Sequence, residues 1–93
     1  MISSFKDRAA RSIFEGKLAR SLPPNLQTRA FTKLAMLHAA ETLDDLRNPP
    51  GNRLHALSGD RDGQHSISIS MQWRICFVWK DGHVHDVEIV DYH

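Results

Sequence analysis

Cysteine is almost missing: Cys76 stands alone in the chain. A lone cysteine excludes an internal disulfide and the four-cysteine zinc patterns. No apolar run reaches membrane length, and the stretch MISSFKDRAARSIFEG lacks the apolar core of a secretory signal. The expected compartment is therefore the cytoplasm, with no membrane partner. H-E-x-x-H, C-x-x-C, G-x-S-x-G and a phosphate-cradling glycine loop are absent. GDRDG at 59–63 is too short for a calcium loop. There are no repeats, linkers or low-complexity segments. What remains is ordinary: 93 residues, 41% apolar and 25% charged, which suits one soluble domain over residues 1–93. A domain of that length buries about two-thirds of its unfolded surface, enough for one modest core.

The formal net charge of +1 is unevenly divided. Residues 1–33 carry seven basic groups against two acidic ones, and the remainder five against nine. A basic half suits an anionic partner, because clustered Lys and Arg set the field that a polyanion feels. The plainer alternative is a solvated helical surface.

Pattern divides the chain into a helical half and a β half. MISSF, with Ile2 and Phe5, suits a short strand. DRAARSIFEG has Ala9, Ile13 and Phe14 near helical spacing, with Gly16 as a stop. Pro23 and Pro24 suit a first helical turn. Beyond them Leu26, Ala30, Leu34 and Leu37 fall at steps of four, four and three, which makes one apolar face. Thr42 can cap a short helix over TLDDLR, with Asp44 and Asp45 favourable in its first turn. NPPGN ends the helical half. In HSISISMQWRICFVW the residues Ile67, Ile69, Met71, Trp73, Ile75, Phe77 and Trp79 alternate with Ser66, Ser68, Ser70, Gln72 and Arg74. A single strand of that length would span about 45 Å at ~3.3 Å per residue, whereas a domain of this size is about 30 Å across. The run must bend, and SMQ is its least strand-like point. Asp81-Gly82 is the strongest short hairpin signal available. GDRDG is another turn, and VHDVEIVDY is the last strand. The expected fold is α+β: N-terminal helices packed on a small antiparallel sheet of about four strands.

Several side chains invite chemical questions. His83 and His85 share one strand face, a conceivable metal pair, but zinc needs a third or fourth ligand, and exposed hairpin histidines are the simpler reading. His38 ends a helix, where a cation suits the dipole, and reads as structural. Cys76 reads as a small core residue, and Trp73 and Trp79 as core packing. His55 sits between Leu54 and Leu57 and alone reads as half-buried. Arg74 falls on the polar parity of an apolar strand, where its guanidinium fork suits a phosphate. The chain closes on Asp91, Tyr92 and His93, three polar, proton-handling groups. Cleavage of RNA by its own 2′-hydroxyl needs a base, an acid and positive charge on the crowded phosphate. Histidine, with a reference pKa near ~6.5, suits the first two, and arginine suits the third. Asp can hold a histidine tautomer, and Tyr can stack on a base or donate a proton. That chemistry requires no metal and no cofactor.

NRLHALSGDRDGQHSISISMQWRICFVW followed by VEIVDYH resembles the HigB toxins, also called plasmid-maintenance killer proteins, of the RelE/ParE superfamily. The resemblance covers nearly the whole chain, and the specific part is L-x-x-L-x-G-D-R-x-G with W-R-I-x-F and a closing D-Y-H. It implies a RelE-like fold and a toxin of a type II toxin–antitoxin system that cuts mRNA in the ribosomal A site. It implies as partners the ribosome, mRNA and a HigA-type helix-turn-helix antitoxin, with operator DNA bound only through the antitoxin complex. It implies a catalytic group of His55, Arg74, Asp91, Tyr92 and His93. The last strand is then expected to deliver Asp91, Tyr92 and His93 to the same sheet face as His55 and Arg74. Some relatives carry cations where this chain has Ser58 and Ser70, which leaves added phosphate binding to Arg53, Arg61 or the basic N-terminal half. Two other readings follow from the same superfamily: a non-enzymatic inhibitor of DNA gyrase like the ParE branch, and an antitoxin-binding module with a weakened site.

Overall fold

The structure is a computed structural model and describes residues 1–92. Helix α1 spans Arg8–Phe14. Asp7 caps it: one carboxylate oxygen accepts from Ala10 N at 2.8 Å, satisfying a donor that the first turn leaves orphaned. The other oxygen accepts from Ile89 N at 3.1 Å and ties the helix to the last strand. Gly16, at φ 85, ends the segment as expected. Helix α2 spans Gln27–Ala39 behind a tight turn at Pro24–Leu26. Ala30, Leu34 and Leu37 are fully buried, so the predicted stripe is the face that packs. A short 3-10 helix at Leu43–Arg47 follows, tighter than the α-turn that the pattern suggests. Thr42 and Asp45 close its first turn reciprocally, and the main-chain N–H groups of Thr42 and Glu41 hold the Asp45 carboxyl below its usual range.

The sheet is an antiparallel meander in the order β1-β2-β3-β4. Its strands are β1 His55–Ala56, β2 His65–Ser68, β3 Trp73–Lys80 and β4 His83–Asp91. The long alternating run turns at residues 69–72, where the length argument requires it. Ser70 builds that turn: its hydroxyl accepts from Gln72 N and Trp73 N, and its carbonyl accepts from Ser68 Oγ at 2.7 Å. Met71 lies at the tip and is 95% exposed, against its apolar parity, because the alternation stops where the ladder stops. Asp81 and Gly82 both have positive φ, the hairpin geometry that their types favour. A bulge in the β3–β4 pairing near Cys76 and Val78 lets both Val84 and Val87 face the core despite their odd spacing. Ile2 and Phe5 make isolated parallel bridges to Val84 and Val87 rather than a strand.

Both helices cover one face of the sheet, and Ile67, Ile75, Phe77, Val84 and Val87 form the core with them. His38 is structural by another route than the dipole: its Nδ1 accepts from Ile2 N at 3.2 Å, and its ring lies against Phe14. The radius of gyration is 11.9 Å. Among the described residues no helix is long and apolar enough to cross a membrane.

Candidate active site

The helices leave the other face of the sheet open, and strand register decides which side chains meet there. Residues directly across a ladder share a face. His55 pairs with Ser66, Ser66 with Cys76, and Cys76 with Glu88, so one row crosses all four strands. Arg74, two residues before Cys76, pairs with Ser68 and Val90 on the same parity. Tyr92 lies two residues beyond Val90. These groups border an open cavity of about 410 Å³ lined by Arg53, Leu54, His55, Leu57, Ser66, Arg74 and Tyr92. A second groove of about 290 Å³ lies against Ile13, Leu18 and Phe31, but Lys17 is its single ionisable residue among those described. Of the two, the cavity at Arg74 is the one whose described lining combines arginine, histidine and tyrosine.

Arg74 is held in one pose. Its Nε donates to Ser66 Oγ at 2.8 Å, and Nη2 donates to the Arg53 carbonyl at 2.8 Å. Hydrogen bonds from a charged donor are worth roughly 1.5–3 kcal/mol each. Two of them outweigh the ~2 kcal/mol of rotamer entropy in an arginine. Nη1 has no hydrogen-bond partner among the described residues. The Arg53 carbonyl reaches Arg74 because Arg53 is left-handed, with φ 48 and ψ 53, at the end of a 3-10 turn over Pro50–Asn52.

Asn52 anchors that turn and is fully buried. Its Nδ2 donates to the carbonyls of Leu46 and Asn48, and its Oδ1 accepts from Lys33 Nζ at 2.5 Å. Burial pushes the Lys33 pKa down, and nearby Arg29 adds to the effect.

Cys76 is the floor of the row. Burial pushes its thiol up; Glu88 adds to this, while Arg61, the Tyr92 hydroxyl and Arg74 pull it down. It is a buried, protonated small residue, as expected, and not a nucleophile. At the far end of the row Glu88 accepts from Arg61 at 2.7 Å and meets Lys6 at 3.7 Å. Arg61 also donates to Gln64 and does not line the cavity.

The sequence-derived group is thus partly gathered. His55, Arg74, Tyr92 and Arg53 share the cavity. His55 is exposed rather than half-buried, because β1 is a two-residue strand at the edge of the sheet. Asp91 is not on the face of Arg74. Alternation gives it the parity of its partner Trp73, and its carboxylate accepts from Gln72 Nε2 at 3.0 Å. The Tyr92 N–H donates to the Gln72 carbonyl, so Gln72 grips the tail twice. His93 lies outside the described residues. Ser58 is exposed beside the turn at Gly59–Arg61. Among the described residues no three His, Cys, Asp or Glu side chains gather as a metal site, and His83 is exposed. Ser66, Asn52 and Gln72 carry no signal of their own in the sequence; only the register and the loop path reveal them.

The profile of the HigB-like toxins, described as RelE-like toxins of the type II toxin–antitoxin system HigB, matches residues 3–93. The chain belongs to that family. Toxin HigB-1 of Vibrio cholerae is 40% identical over 83 residues, covering 88% of this chain and 87% of its own. Endoribonuclease HigB of Proteus vulgaris is 32% identical over 93 residues, covering 100% of both chains. Among solved structures, YafQ of E. coli strain BL21(DE3) superposes with a TM-score of 0.57 at 12% identity, over 98% of this chain and 93% of YafQ. A chain of the YoeB–YefM toxin–antitoxin complex of Staphylococcus aureus also gives 0.57, at 14% identity, over 100% of this chain and 98% of that one. These two likenesses show the fold, which the family description terms RelE-like. As a type II toxin, the protein has an antitoxin as its partner.

Proposed function

We propose that this toxin is an endoribonuclease that cuts mRNA on the ribosome, by attack of the RNA's own 2′-hydroxyl on the adjacent phosphate. The carrying observation is the cavity in which a pinned arginine, an exposed histidine and a tyrosine meet beside an open Arg53 side chain. Kinship with a relative named an endoribonuclease supports the reading. Arg74 stabilises charge on the crowded phosphate through Nη1. His55 and His93 share the proton transfers, one taking the 2′-hydroxyl proton and the other protonating the leaving 5′-oxygen. Tyr92 stacks on a base or passes a proton. Asp91 serves by anchoring the tail to Gln72. Arg53 offers a phosphate contact at the rim. Arg61, engaged with Glu88, buttresses the row beneath Tyr92. The site works without a metal or cofactor. The single RelE-like domain acts in the cytoplasm, a HigA-type helix-turn-helix antitoxin neutralises it, and operator DNA is bound only through that complex.

The test is cell-free translation with purified ribosomes and a reporter mRNA. The expected result is codon-phased cuts that require ribosomes. Arg74→Ala should slow them about 10²–10³-fold, as loss of one stabilising donor does, and His93→Ala should abolish them with the fold unchanged. Intact mRNA with the native chain overturns the proposal, and a DNA supercoiling assay then tests gyrase as the target.

A further inference from the structure

We propose that Asn52 is a positioning residue for Arg74, and that Arg53 acts on the reaction through its main-chain carbonyl as well as through any contact of its side chain. The inference rests on the reading of the cavity as the cleavage site.

Asn52 is fully buried and its side chain is satisfied at both ends. A buried amide of this kind costs stability if any bond is lost, so a sequence retains it where it sets a backbone path. The path it sets is the turn from Leu46 to Arg53. Asn52 N donates to the Pro49 carbonyl, and Arg53 N donates to the Pro50 carbonyl. The chain then leaves the turn with Arg53 left-handed, a region that arginine enters only when its surroundings impose it. That twist turns the Arg53 carbonyl onto Arg74 Nη2. Helix α2, through Lys33, is thereby linked to the guanidinium on the opposite face of the sheet. With Nε on Ser66 and Nη2 on Arg53, the plane of the fork is set before RNA arrives. Pre-set geometry acts on the chemical step more than on binding.

Three variants separate this from a side-chain role. Arg53→Gly and Arg53→Val both delete the guanidinium. Glycine keeps the left-handed region open, whereas a β-branched residue resists it. Asn52→Asp keeps an oxygen for Lys33 but removes both donors to Leu46 and Asn48. Single-turnover cleavage on ribosomes should show Arg53→Gly raising KM with kcat held within about 3-fold. Arg53→Val and Asn52→Asp should lose kcat on the order of 10²-fold, as a small misplacement does. Circular dichroism reports whether each variant folds, and the Arg53 pair decides the matter if Asn52→Asp does not. Equal loss of kcat in the two Arg53 variants overturns the proposal, as does wild-type kcat in folded Asn52→Asp. The Arg74 Nη2 amino resonance gives a reading independent of cleavage. It should exchange slowly with solvent in the native chain and in Arg53→Gly, and fast in the other two. If the native chain never cuts mRNA, the functional reading falls, and this resonance alone upholds or overturns the positioning of Arg74.

Discussion

The two faces of the sheet are built by different rules. On the helix side Ile67, Ile75, Phe77, Val84 and Val87 are fully buried, and any apolar residue of similar volume meets the requirement. On the open side Ser66 and Cys76 are fully buried too, yet the groups there are polar, and each is specified by a partner: Ser66 by Arg74 Nε, Arg74 by the Arg53 carbonyl, Glu88 by Arg61. Burial therefore has two meanings in one small sheet. The helix side holds the chain folded, and the open side holds one guanidinium still.

The sharpest way to break this contrast is to damage the helix side alone. Phe77→Ala should cost about 3–5 kcal/mol, the usual range for emptying a buried phenyl site. A domain of this size has total stability of roughly 5–15 kcal/mol, so the urea midpoint should fall steeply. Cleavage per folded molecule should stay near that of the native chain, because Phe77 faces away from Arg74. A drop in cleavage that exceeds the folded fraction would show the two faces to be coupled.

The helix side was legible because period-2 and period-3.6 patterns report burial against a regular neighbour. The stripe at Leu26, Ala30, Leu34 and Leu37 and the alternation from Ile67 to Phe77 both became core. Legibility ended where regularity ended. Met71 kept the apolar parity but sat in a turn. His55, flanked by leucines, became exposed because its strand is a two-residue edge. On the open side, Arg74 was marked out by an arginine on polar parity in an apolar strand, and the closing D-Y-H by its composition. Their supports were not marked. Ser66 reads as a solvated strand serine until the register sets its hydroxyl against the Arg74 guanidinium, and nothing in an arginine announces a left-handed backbone at 53. Asp91 was misassigned to the face of Arg74 because three adjacent residues in extended chain cannot all point one way.

A milder change sharpens the contrast from the open side. Ser66→Ala removes the acceptor of Arg74 Nε while leaving the strand ladder intact. The expected loss is about tenfold in kcat, which corresponds to ~1.4 kcal/mol of transition-state stabilisation. The unfolding free energy should fall by no more than about 3 kcal/mol, the upper worth of one hydrogen bond from a charged donor. Single-turnover cleavage and a urea melt on the same preparation measure both. The reverse pattern, lost stability with intact kcat, would make Ser66 a core residue like any other and erase the distinction between the faces.

The smallest effect is expected at the tail. Gln72 holds it by two bonds, a side-chain amide to Asp91 and a main-chain carbonyl to Tyr92 N. Gln72→Ala removes the first and leaves the second. A solvent-exposed hydrogen bond contributes about 0.5–1 kcal/mol net, so kcat should fall roughly 2–5-fold and thermal stability should barely move. The loss should not add to that of a variant already lacking Asp91, since both would remove the same bond. An additive loss in that double variant would mean that Asp91 acts on the reaction by a route other than Gln72, and the tail would then belong to the chemistry of the open face rather than to its scaffolding.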